Sequence, residues 1–66
     1  MRHWYLGDGV ITRYGDNPSE QVRVTPAFDG HSRVYRVSYV IDNREVKFTE
    51  WHSLLKALQQ GEEWLT

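Results

Sequence analysis

The chain contains no cysteine. That excludes a disulfide framework and any zinc site built on thiolates. It has little net charge, −1 over 66 residues, so no bulk electrostatic term demands nucleic acid or an acidic membrane surface. It has no long apolar run, which removes a helical membrane span from the expectation. The opening Met1-Arg2-His3-Trp4 lacks the apolar stretch of a signal peptide. A cytoplasmic setting is the resulting expectation. Internal repeats and low-complexity segments are missing as well.

What remains is one short domain, 1–66, with one core. A chain of this length buries only roughly 60% of the surface its unfolded form exposes. Its core needs help from dense aromatic packing or from a partner. Aromatic residues make up 14% of the chain, and each large ring can bury about 150–250 Å². Most of these rings are expected in the core, with the remainder on a contact surface.

Turn chemistry divides the chain at Gly7-Asp8-Gly9, Gly15 to Ser19, Pro26 to Ser32, Asp42-Asn43 and Gly61. The runs between are rich in β-branched and aromatic residues and predict strands at about 3–6, 10–14, 21–25, 33–41 and 44–48. Pro26 is expected to end the third run, because proline cannot donate to a ladder. One continuous strand from Trp4 to Tyr14, broken by a glycine bulge, is the alternative for the first two.

Asp42-Asn43 suits a two-residue turn, since both residue types tolerate positive φ. A regular ladder from that turn pairs Ile41 with Arg44, Tyr39 with Val46 and Val37 with Phe48 on one face. The other face then carries Val40 with Glu45, Ser38 with Lys47 and Arg36 with Thr49. A helix over about 50–60 follows, with Thr49 as N-cap and Glu50 in its first turn. Trp51, Leu54, Leu55 and Leu58 form its apolar stripe, and Gly61 terminates it. Trp64 and Leu65 are expected to fold back on the core edge. The fold class is α+β: a small antiparallel sheet of three to four strands, covered on one face by a C-terminal helix.

Chemistry is sparse. Ser19, Ser32, Ser38 and Ser53 with His3, His31 and His52 sit in no nucleophile motif, and Gly-x-Ser-x-Gly does not occur. Ser53 and His52 are helical neighbours in this reading and would not face one another. No His-x-x-x-His or calcium-loop spacing is present. Gly7-Asp8-Gly9 is too short for a dinucleotide fingerprint and carries an anion at its centre. The expectation is a non-enzyme without metal or cofactor.

Charge is arranged more informatively than it is totalled. Arg13, Arg23, Arg33, Arg36, Arg44 and Lys47 fall in the predicted strands, against the single acid Glu45. An arginine-led stripe on the open sheet face follows, with Arg36 and Lys47 facing outward and Arg13 and Arg23 joining them if the first hairpin aligns. Such a stripe is either a solvated face that blunts edge pairing or a binding surface, since guanidinium forks onto carboxylate or phosphate and stacks on rings.

Three functional readings come from this. The first is a protein-binding accessory or inhibitory module using Arg13, Arg23, Arg36 and Lys47, or the acidic segment Glu62-Glu63-Trp64. The layout is loosely similar to small phage-encoded inhibitors, an analogy of architecture alone, with no motif matched. The second is a nucleic-acid binder that lays the sheet face into a groove; the near-zero net charge counts against it. The third is a homodimer whose open face or edge closes an assembly.

Overall fold

Four hairpin connections set the architecture. The computed structural model describes residues 3–65; Met1, Arg2 and Thr66, and with them part of the opening tetrapeptide read above, lie outside the described residues. Strands β1 (Tyr5–Gly7), β2 (Val10–Tyr14), β3 (Glu20–Phe28), β4 (Arg33–Ile41) and β5 (Arg44–Trp51) are followed by helix α1 (Leu54–Trp64). They form one antiparallel sheet in chain order, so each strand pairs with its sequence neighbours. The sheet has five strands rather than three to four: Tyr5–Gly7 pairs with Val10–Tyr14 as a separate strand. Asp8 and Gly9 turn that hairpin with φ of 54° and 76°. Asp42 and Asn43 do the same between β4 and β5, with φ of 52° and 66°. Positive φ at both central residues gives a turn whose twist matches the flanking strands. A single strand from Trp4 to Tyr14 is thereby ruled out.

Pro26 does not end β3. The strand runs on to Phe28, with Pro26 opposite Tyr35. β2 pairs with β3 only as far as Val24, so Pro26 lies on a stretch with one free edge. A missing N–H is tolerated there.

The β4–β5 ladder departs from the regular register. Ile41 faces Arg44 and Val40 faces Glu45, as the turn requires. A bulge then intervenes, leaving Val46 without a partner, and the pairing resumes as Tyr39 with Lys47, Ser38 with Phe48, Val37 with Thr49 and Arg36 with Glu50. One extra residue swaps the face of every later side chain on β5. Phe48 therefore leaves the core for the open face, where it is 51% exposed. Val46 is 57% exposed rather than packed under the helix. Lys47 takes the inward place, with its ammonium 5.2 Å from the Tyr39 ring centroid and 4.8 Å from that of Trp64.

The helix also starts later than the apolar spacing predicts. β5 continues through Thr49 and Glu50 to Trp51, which pairs with Tyr35. Ser53 is the N-cap: its backbone is extended and its hydroxyl accepts from the Lys56 N–H at 3.3 Å. The buried face is Ala57 and Gly61, flanked by Leu58, Trp64 and Leu65. These recur at i, i+1, i+4, i+7 and i+8 from Ala57, one turn beyond the expected stripe. Leu55 is left 65% exposed. Trp64 is the last helical residue, packed on the Tyr39 ring at 6.2 Å between centroids, rather than part of a returning tail.

The core between helix and sheet is Val22, Val24, Val37 and Ala57. Each of the three valines is fully buried, a contribution of about 1.5–3 kcal/mol apiece. Trp4, Ile11, Tyr35, Tyr39, Trp51, Leu58, Trp64 and Leu65 ring it. At the rim, the Tyr39 hydroxyl donates a short hydrogen bond to the Glu20 carboxylate. That bond, more than burial, holds the phenol above its ordinary pKa.

Gly61 does not cap the helix; it lets the helix lie close on the sheet. A Cβ there would stand 2.7 Å from Val22 Cγ1 and 2.9 Å from Trp4 Cη2. Alanine would gain about 1 kcal/mol of helix propensity. Overpacking against a fully buried valine costs about 1–3 kcal/mol. We therefore expect Gly61→Ala to lower the urea midpoint without changing the slope, a net loss of about 1 kcal/mol. A variant more stable than wild type would show that the helix can move off the sheet freely.

Candidate functional site

Strand alternation puts Gln21, Arg23 and Thr25 of β3 on the face away from the helix, beside Arg36, Ser38 and Val40 of β4. The bulge adds Glu45 and Phe48 of β5 to the same face. Val10, Thr12 and Tyr14 of β2 complete it, with Tyr5 of β1 opposite Thr12. Although no helix covers this side, Val40, Ser38 and Gln21 are buried in it by their neighbours. A depression of about 350 Å³ lies over β3 and β4, lined among others by Val10, Arg23, Arg36, Ser38, Asn43 and Glu45.

Arg36 is held by two neighbours on β5. One terminal nitrogen donates to both Glu45 oxygens, each at 3.0 Å, and the guanidinium carbon sits 3.7 Å from the centroid of the Phe48 ring. The Ser38 hydroxyl also bonds Glu45. That hydroxyl first, and the Arg36 hydrogen bonds second, hold the Glu45 carboxyl below the usual carboxylate range. Arg23 is oriented differently: its Nε donates to the buried Gln21 amide oxygen at 2.9 Å.

The seven residues singled out from the sequence do not form one surface. Arg23 and Arg36 lie on the open face. Arg13, expected beside them, faces the helix: it pairs with Glu62 at 3.0 Å and covers the Trp4 ring at 5.7 Å. The register explains this, because Arg13 is opposite the core residue Val22. Lys47 lies on the helix side because of the bulge. Glu62 is engaged by Arg13 and by the Trp4 indole N–H, and Trp64 by Tyr39. Glu63 is exposed beside Trp51 and Lys56 on the outer side of the helix. With the observed strand bounds, Glu20 and Glu50 join Glu45 within the strands, so the basic stripe is half neutralised.

Phe48, Tyr5 and Tyr14 were not among those candidates. For Phe48 the signal lay in the alternation read backward from Trp51. Placing Trp51 inward opposite Tyr35 puts Thr49 and Lys47 inward as well, which clashes with the turn register unless one residue is extra.

Among the described residues, side-chain chemistry near a nucleophile–base pair is confined to Ser32 Oγ and His52 Nδ1, 3.3 Å apart and exposed. Asp29 lies nearby, but its Oδ1 accepts the His31 and Ser32 N–H groups at 2.8 and 2.9 Å. Those two bonds, Ser32 first, lower its pKa. A catalytic pair needs a third group bonded to the base, and Asp29 instead closes a turn. Among the described residues no group of three histidine or carboxylate side chains could hold a metal ion. None of their helices is long and apolar enough to cross a membrane. No family model, curated protein or solved structure matches the chain.

A depressed folded-state pKa at Glu45 stabilises the fold above the unfolded value and is lost as pH falls through the folded one. Wild type is therefore expected to exceed Glu45→Gln in stability at neutral pH. The two should converge as acid is added below the usual carboxylate range, in urea melts at stepped pH. Parallel curves down to strong acid would contradict the Ser38–Glu45–Arg36 arrangement.

Proposed function

We propose that this chain is a small non-catalytic binding module, an accessory or inhibitory protein, that occupies a partner protein's surface with the open face of its sheet. The observation that supports it is the state of Arg36, already chelated by Glu45 and stacked on Phe48. A guanidinium neutralised in this way has little left for a phosphate backbone, whose affinity depends on uncompensated cations. An aromatic ring, an arginine and a polar rim are instead what protein interfaces enrich. The face is preset: Gln21 fixes Arg23 and Glu45 fixes Arg36, so little side-chain entropy is lost on docking. A cytoplasmic setting belongs to the same proposal.

Arg23 is exposed and in no ion pair among the described residues, so Arg23→Glu tests the face, with Arg23→Gln, which can still donate to Gln21, as the control for folding. Affinity capture from the source cell should yield a specific protein partner that Arg23→Glu loses. Duplex DNA should show no binding at low salt. Duplex binding that falls steeply with salt and disappears in Arg23→Glu would replace the proposal with a nucleic-acid function. Concentration-dependent light scattering, abolished by the same change, would replace it with self-association.

A further inference from the structure

The open face has a second part whose chemistry differs from the arginine depression. Along β2 lie two further depressions that share the Tyr14 ring. One, of about 340 Å³, is lined by Tyr5, Asp8, Val10, Thr12 and Tyr14 with the β1 backbone. The other, of about 240 Å³, is lined by Tyr14, Gly15, Asp16 and Pro18. Tyr5 and Tyr14 meet edge to face at 6.3 Å and 63°, so a ridge of ring separates the two hollows. Among the described residues no basic side chain lines either, and a carboxylate stands at each end, Asp8 and Asp16.

Both ends are rigid. Asp8 sits in the tight β1–β2 turn. Beyond Tyr14, the Gly15 N–H donates to the Glu20 carbonyl, and Asn17 Oδ1 accepts from both the N–H and the hydroxyl of Ser19. The strip is therefore formed before anything binds.

We infer that this strip, Asp8 through Tyr5, Val10 and Tyr14 to Asp16 and Pro18, docks a proline-rich segment of the partner, extended as a polyproline helix and flanked by basic residues. Proline rings pack on aromatic faces without needing ladder bonds, and the bare carbonyls of such a helix accept from tyrosine hydroxyls. Hollows divided by a ring ridge suit a ligand with three residues per turn. The terminal carboxylates attract lysine or arginine on either flank and repel an acidic segment. Val10 lines both this strip and the arginine depression, so one partner can engage both.

The inference rests on the protein-binding reading of the open face, and its test separates the two. The probe is a synthetic decapeptide of alternating prolines and alanines with an arginine at each end, titrated into the ¹⁵N-labelled full chain. Amide shifts are expected at Tyr5, Thr12, Tyr14 and Asp16. Replacing the prolines by alanine should weaken binding at least tenfold, and so should glutamates in place of the arginines. Asp8→Asn/Asp16→Asn keeps the turn, because asparagine also accepts positive φ; it should weaken binding about fivefold and flatten the salt dependence. Tyr14→Ala should abolish binding, and the carboxylate variant decides the matter if Tyr14→Ala does not fold. Equal binding of the all-alanine peptide, or unchanged affinity in the carboxylate variant, would overturn the inference. No peptide response together with partner capture lost in Arg23→Glu would overturn the strip alone. No peptide response and no captured partner would remove the reading beneath it as well.

Discussion

One unpaired residue, Val46, decides which side chains the sheet shows to the outside. The Asp42-Asn43 turn imposes its register at Ile41–Arg44 and Val40–Glu45, and the inward aromatic pair Tyr35–Trp51 imposes another at the far end. The two differ by one residue, and the bulge absorbs the difference. Without it, Phe48 would lie under the helix and Lys47 in solvent. With it, a ring is placed beneath Arg36, and a cation is placed between Tyr39 and Trp64. The composition of the open face and the packing of the helix end are consequences of the same irregularity.

A core of three valines and an alanine is small for a domain; partly buried apolar and aromatic side chains enlarge it, and paired polar groups close the rim. Glu62 receives both Arg13 and the Trp4 indole, which ties the last helical turn to β2 and to the chain ahead of β1. Glu20 receives the Tyr39 hydroxyl and folds over Gly15, so the same carboxylate closes the β2–β3 loop and supports β4. Gly61 completes the arrangement by letting Val22 and Trp4 touch helix backbone. Because the charges expected on the open face are used in this rim, that face is left with aromatic rings and two oriented arginines.

Local chemistry was legible in the sequence where it is self-sufficient. Asp8-Gly9 and Asp42-Asn43 announce their turns because few residues accept positive φ, and the span of β4 follows from its bounding turns. Long-range constraints were not legible. The apolar spacing from Trp51 to Leu58 satisfies a helix, yet Trp51 pairs with Tyr35 at the end of β5, and Ser53 then caps a helix displaced by a turn. Pro26 stops a strand only where both edges are paired, a condition that depends on where β2 ends. Facing pairs such as Arg13 with Glu62 join positions 49 residues apart, and no local pattern encodes them.

The face assignment rests on the register of β5, and cross-strand nuclear Overhauser effects measure that register directly. Contacts are expected that place Phe48 opposite Ser38 and Lys47 opposite Tyr39, with the Lys47 methylenes shifted upfield by the Tyr39 and Trp64 rings. Contacts that place Phe48 opposite Val37 and Val46 opposite Tyr39 would mean an unbulged ladder. The open face described here, with Phe48 stacked on Arg36, would then not exist.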